Sequence, residues 1–294
     1  MVILLKISFL KRIVITSLFL LLALILYNFP KEMSAPIDDS SYNSKVYLID
    51  DNEFVSLVKT TCNINTNSVR GVFESLTSTT CFPYGFSSYI PNNTKLLDYS
   101  INDGLLKLNF SKELLDVKSG YEEKMLESLI YSFTSIEDIK KIMIFVNGEV
   151  LNKFPKSDVL LPITFDRSFG INKIADITTL SDNVSFNVYY LSKNVNDYYY
   201  VPVTYIVNED GDIADMIIKR LKSNNISSSL LTHLNYNVEM ISYELSDGTM
   251  EVTFDNDLKN MLFDGELSES VEYALVASFK DSFGIENVNI LFNS

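Results

Sequence analysis

One histidine and two cysteines in 294 residues leave little material for most kinds of catalysis. A zinc site needs four Cys, His or carboxylate ligands at close spacing, and a histidine-based triad needs a nucleophile beside the imidazole. His233 lies between Thr232 and Leu234 with no Ser or Cys elbow around it, and it reads as an ordinary loop or surface residue. Positive charge is scarce as well: 24 Lys and Arg against 38 Asp and Glu give a net charge of −14. That balance argues against nucleic acid or anionic headgroups as partners, because phosphate contacts need clustered cations. The expectation is a protein without catalytic residues, cofactor or metal, whose acidic surface mainly keeps it soluble.

What is present is hydrophobic and repeated. Hydrophobic residues make up 47% of the chain, which excludes disorder as the main state, and 294 residues suffice for two domains with separate cores. Lys6, Lys11 and Arg12 precede an almost wholly apolar run at 13–29. At about 1.5 Å of rise per residue this run is near the short end of what spans a bilayer. The basic residues place 1–12 in the cytoplasm and the rest outside. A cleavable signal peptide is the rival reading. No small-x-small site directly follows the run and no cysteine near it could accept a lipid, so an uncleaved single-pass signal anchor is preferred. The polar stretch 30–44 then reads as a tether.

Beyond the tether the chain says the same thing twice. Leu97, Tyr99, Ile101, Asp103-Gly104, Leu106, Leu108 and Phe110 are matched by Ile241, Tyr243, Leu245, Asp247-Gly248, Met250, Val252 and Phe254, all at one offset (247 − 103 = 144). Seven coincident pairs mark the duplication of a whole domain. Alternation with an Asp-Gly turn predicts a β-hairpin, a better reading of these dipeptides than a metal or phosphate loop. Around the first hairpin, Val46–Asp50 and Phe54–Thr60 read as strands, and Val69, Val72, Phe73 and Leu76 as a helix capped by Asn67 or Ser68. Ser119 and Glu122 have capping-box spacing before a helix bearing Met125, Leu126, Leu129, Ile130 and Phe133, and Lys141–Val146 closes the unit.

In the second copy Val188–Leu191 and Tyr199–Val207 match the first strands, and Asp210-Gly211-Asp212 opens a helix with Ile213, Met216, Ile217 and Leu221. Leu267, Val271, Leu275 and Phe279 match Tyr121, Met125, Leu129 and Phe133, before a last strand at Asn287–Phe292. The expected fold class is α+β: a membrane helix, then two tandem two-layer α/β sandwich domains of order β-β-α-β-β-α-β, at 45–149 and 184–294. The intervening 150–183 is too apolar for a free linker and is expected to pack on one or both domains.

These patterns, in this order and doubled, resemble the sporulation and germination family built from tandem GerMN domains. The resemblance runs from about Lys45 to Ser294. It rests on residues 46–51, 90–97, 102–104, 108–114 and 144–149 of the first copy, on 165–173 of the linker, and on 246–248 and 252–255 of the second copy. It implies an extracytoplasmic, envelope-attached protein whose α-β-β-α-β portions are similar to ring-building motifs. It also implies a place at the membranes between mother cell and forespore, supporting the channel complex that joins them. The partners implied are envelope and sporulation proteins, with self-association. The family's best-known members are lipoproteins, whereas this N-terminus lacks a lipid-accepting cysteine.

Three groups of residues have a sharper reading beside a plain one. Glu122 and Glu123 are adjacent carboxylates, but neighbours on a helix point about 100° apart, and a role at the helix N-terminus is favoured over glycan cleavage. Among the tyrosines at 189, 190, 198, 199 and 200, alternate positions must face a core, leaving Tyr190, Tyr198 and Tyr200 as candidate interface residues. Cys62 and Cys81 flank the first helix in a compartment where disulfides form, so bridge and free thiols are both open. The leading function is a non-catalytic scaffold used in spore development; the runner-up is a peptidoglycan-binding or peptidoglycan-hydrolysing envelope protein.

Overall fold

A computed structural model describes residues 44–179, 181–195, 197–208, 210–223, 226–232, 234–263 and 266–293. The run 13–29, nearly all of the tether and His233 lie outside the described residues. Among the described residues no helix is long and apolar enough to cross a membrane.

The first half contains β1 (Lys45–Asp50), β2 (Val55–Lys59), α1 (Val69–Thr77), β3 (Phe86–Ser87), β4 (Leu96–Asn102), β5 (Leu105–Phe110), α2 (Glu122–Phe133), β6 (Lys141–Val146) and β7 (Glu149–Val150). A connecting segment carries β8 (Ile174–Asp176). The second half begins with β9 (Val184–Lys193), β10 (Tyr198–Val207), α3 (Ile213–Lys222), β11 (Leu230–Leu231), β12 (Met240–Ser246) and β13 (Thr249–Phe254). It continues with α4 (Asn256–Lys259), β14 (Leu262–Phe263), β15 (Glu266–Leu267), α5 (Glu269–Phe283) and β16 (Asn287–Phe292).

The duplicated hairpins form in both halves with the same chemistry. Asp103-Gly104 and Asp247-Gly248 all take positive φ, as a two-residue turn matched to strand twist requires. β4 pairs antiparallel with β5 and β12 with β13, each with a register shift after its first residue. The long helix then returns the chain so that β6 lies parallel to β5 and β16 parallel to β13. Even the strand-end bonds repeat: Asn147 N–H donates to the Phe110 carbonyl and Asn293 N–H to that of Phe254, both at 2.8 Å.

Three local expectations are corrected. The strands of each half are not one sheet. β2-β1-β3 is separate from β4-β5-β6-β7, and β11-β9-β10-β8 is separate from β12-β13-β16. α2 is wedged between the first pair of sheets, so both its apolar and its serine faces are buried. Second, α2 has no capping box: Tyr121 is its N-cap without a side-chain bond, and the Glu122 carboxylate accepts instead from the Lys156 N–H of the connecting segment at 2.5 Å. Third, only one strand of each hairpin enters the core. Leu106, Leu108 and Phe110 are fully buried, as are Met250, Val252 and Phe254. Leu97, Ile101, Ile241 and Leu245 remain 47%, 52%, 50% and 49% exposed, because β4 and β12 are edge strands.

The helix serines have a use that hydropathy hides. Ser132 Oγ accepts from Tyr47 N–H at 2.9 Å and Ser128 Oγ donates to the Tyr47 carbonyl at 2.6 Å. In the second half Ser278 Oγ accepts from Tyr189 N–H at 2.9 Å, and Ser282 Oγ bonds both backbone groups of Asn187. Serines one helical turn apart thus stand in for a missing neighbouring strand along β1 and β9.

Candidate functional site

The two halves meet where β2 lies beside β10, and one asparagine sews the seam. Asn172, buried and at φ 49°, uses its whole side-chain amide. Its Oδ1 accepts from Val55 N–H and Lys124 Nζ, both at 2.8 Å, and its Nδ2 donates to the carbonyls of Val55 at 2.8 Å and Pro202 at 2.7 Å. Its backbone N–H reaches Glu127 Oε2 at 3.0 Å, while Lys173 Nζ sits 2.7 Å from Glu123 and 3.8 Å from Glu127. Ile171 exchanges bonds with Thr204, both at 2.8 Å. Burial pushes the Glu127 carboxyl above its ordinary range, opposed by Lys124. At the seam Tyr199 Oη donates to Asp50 Oδ2 at 2.7 Å. Burial raises the Asp50 pKa as well, against the lowering effect of that bond.

The pseudo-symmetric counterpart of this filled groove is open. Strand register equates Tyr47 with Tyr189, Leu57 with Pro202, Val55 with Tyr200 and Lys59 with Thr204. The helices match at one offset (278 − 132 = 146), which equates Glu123 with Glu269 and Glu127 with Tyr273. Leu57, Lys59, Tyr200, Glu269 and Tyr273 all line a cleft of about 540 Å³. Strand alternation brings Lys45 and Tyr47 of β1 and Tyr198 of β10 into the same lining. Tyr200 and Tyr273 stack at 3.8 Å between ring centroids, and Tyr189 meets Tyr273 edge-on at 6.1 Å. Burial pushes the Tyr47 hydroxyl up to about 12 and that of Tyr189 well above its usual value, so these lining tyrosines are neutral donors at physiological pH.

Of the tyrosines singled out in sequence, Tyr198 and Tyr200 line this cleft, but Tyr190 does not. Tyr190 is buried, its hydroxyl 2.7 Å from that of Tyr205 and 3.3 Å from the Arg220 carbonyl. It is a core residue, because β9 is covered on the face Tyr190 occupies by α3. Cys62 and Cys81 stand in bonding position, Cα atoms 5.1 Å apart, bracketing α1. Glu122 is buried against the Lys156 N–H, whereas Glu123 is half exposed and pairs with Lys173. Among the described residues no group of three or more His, Cys, Asp or Glu is placed to hold a metal ion. Nothing in the local sequence marks Tyr273, Lys45 or Lys59, and Asn172 stands out only as part of the 165–173 motif. The 146-residue helix offset pairs Tyr273 with Glu127, and the β1–β2 register sets Lys45 opposite Lys59.

The geometry defines a tandem α+β repeat with an internally filled groove, its open counterpart, and two exposed apolar edges. The Germane family model, described as sporulation and spore germination, matches residues 45–152 and 187–294, and the chain belongs to that family. It is 26% identical over 250 residues to the spore germination protein GerM of Bacillus subtilis (strain 168), covering 80% of this chain and 68% of GerM. The solved tandem GerMN domains of the sporulation protein GerM from Bacillus subtilis superimpose with a TM-score of 0.74 at 24% identity, over 85% of this chain and 90% of that one. The chain is therefore a GerM-like sporulation and germination protein with tandem GerMN domains.

Proposed function

We propose that this chain is a non-catalytic, extracytoplasmic scaffold, tethered to the cell membrane by 13–29, that acts in spore envelope assembly by supporting a mother cell–forespore channel complex through protein contacts. The observation that carries this reading is the repeated sheet edge. Among the described residues β4 and β12 each end a sheet and present Leu97 and Ile101, or Ile241 and Leu245, about half exposed. Unpaired edges with exposed apolar side chains are surfaces that a partner completes, and soluble proteins ordinarily blunt them. Substituting Ile101→Asp together with Leu245→Asp leaves the thermal transition within a few degrees and abolishes rescue of spore maturation in a deletion strain. Full rescue by this folded double variant refutes the edge-contact mechanism, and lysis of peptidoglycan by the wild-type chain on a zymogram refutes the non-catalytic reading.

A further inference from the structure

We propose that the cleft beneath Tyr200 and Tyr273 is a docking groove for a short acidic peptide segment of a partner protein, carrying apolar or aromatic residues between its carboxylates. This deepens the scaffold reading by naming a kind of partner, and it rests on that reading.

The protein contains its own template for the occupant. In the equivalent groove, Ile171–Lys173 runs between β10 and β2 as a short bent segment, turned at Asn172 by its positive φ. Ile171 pairs with Thr204, Asn172 with Val55 and Pro202, and Lys173 with Glu123 and Glu127. The open cleft keeps that shape, since five positions equivalent to this groove line it. It changes the chemistry, and the changes specify the ligand. Glu127 becomes Tyr273 and Val55 becomes Tyr200, which together make a stacked aromatic wall for apolar side chains. Thr204 becomes Lys59, directly opposite Lys45 in the β1–β2 register.

Like charges facing each other across a ladder are destabilising. Neither Lys45 nor Lys59 has a carboxylate within 4.0 Å among the described residues. The lining sets Lys45, Lys59 and Arg167 against Asp197 and Glu269, so in a chain of net charge −14 this cleft carries an excess of positive charge, and its two facing lysines match carboxylates supplied from outside. Groove residues that meet a segment by backbone and alternate side chains are a recurring mode of peptide recognition.

The test is calorimetric titration of the full-length chain with a blocked hexapeptide, Asp-Tyr-Asp-Val-Asp-Ser. The comparison probes are the same peptide with Lys at each Asp and a neutral tetramer of N-acetylglucosamine. The acidic peptide binds and the other two do not. Tyr200→Ala and Tyr273→Ala each weaken it about tenfold. Lys59→Ala weakens it by about threefold and reduces the salt dependence, and Tyr200→Phe, which keeps the ring, restores binding. The proposal is overturned if the acidic peptide gives no heat at millimolar concentration, or if the lysine peptide binds as tightly. It also falls if the saccharide binds better, or if affinity is unchanged in both Tyr→Ala variants. Failure here leaves the spore-rescue result with the edge-strand variant untouched, so the two readings fall separately.

Discussion

In the first half of the molecule α2 holds the connecting segment through Glu123, Lys124 and Glu127, and that segment then covers the neighbouring sheet edge. Phe165 exchanges two backbone bonds with Ile142 of β6, both at 2.8 Å, and β7 pairs with the other end of the same strand. Ile142 and Ile144 are fully buried as a result. In the second half the equivalent helix presents Glu269 and Tyr273 to an open cleft, and among the described residues no strand pairs with β16 beyond β13. Val288, Ile290 and Phe292 are only half-buried there. Two copies of one pattern have thus diverged by what lies on them. The connecting segment acts as part of the first half's core, whereas the second half keeps the corresponding surfaces available.

The sharpest way to break this comparison is to remove the cover. Phe165→Ala leaves a cavity over β6 and lowers the unfolding free energy by about 3–5 kcal/mol, while Phe292→Ala on the half-buried strand costs less than about half of that. Urea midpoints of the two variants measure it, and equal losses would mean that β16 is covered in solution as β6 is. Next in size is the Cys62–Cys81 pair, for which the second half has no counterpart. We expect it to be bridged, so mass spectrometry without reduction finds no free thiol. Cys62→Ser with Cys81→Ser then lowers stability by about 3 kcal/mol through the loop the bond closes. Two free thiols in the native chain would dismiss the bridge.

The smallest effect is electrostatic and also belongs to one side. Burial raises the Glu127 carboxyl, so the folded state holds its proton to higher pH than the unfolded chain does. Its contribution is fully present below the ordinary carboxylate range and is lost as pH rises through the raised folded value. Stability therefore falls as pH climbs out of that range towards neutrality, with Asp50 acting in the same direction. Glu127→Gln flattens this part of the profile in chemical denaturation between those limits. An unchanged slope would show that Lys124 and Lys173 fully offset the burial. The second half has Tyr273 at this place, whose proton is not lost in that window.

Several features of this molecule were legible without coordinates because they are local or periodic. The Asp-Gly turns, a helix cap at Asn67 or Ser68, a helix start at Asp210-Gly211-Asp212, and the stripe of Val271, Leu275 and Phe279 follow from backbone geometry and a 3.6-residue period, and the fold uses Ser68 and Asp212 as the caps. Other features depend on neighbours distant in the chain. Tyr190 has the same local alternation as Tyr198 and Tyr200, yet α3 buries it, and nothing within a few residues distinguishes the three. Leu97 and Leu106 belong to one alternating hairpin but differ completely in burial, because the period marks a face and not the edge at which that face runs out of cover. Ser128 and Ser132 read as the polar side of a helix until β1 is found lying along them.

The amino-acid order alone therefore determined the unit, its doubling and its turns, since each rests on torsion preferences and hydrophobic spacing within one stretch of chain. Only the tertiary arrangement decided which of two equivalent grooves is filled, through Asn172 reaching Val55 and Pro202 at sequence distances of 117 and 30. Contacts so far apart form only when the halves dock, and pairwise spacing along the chain carries no record of which side they close.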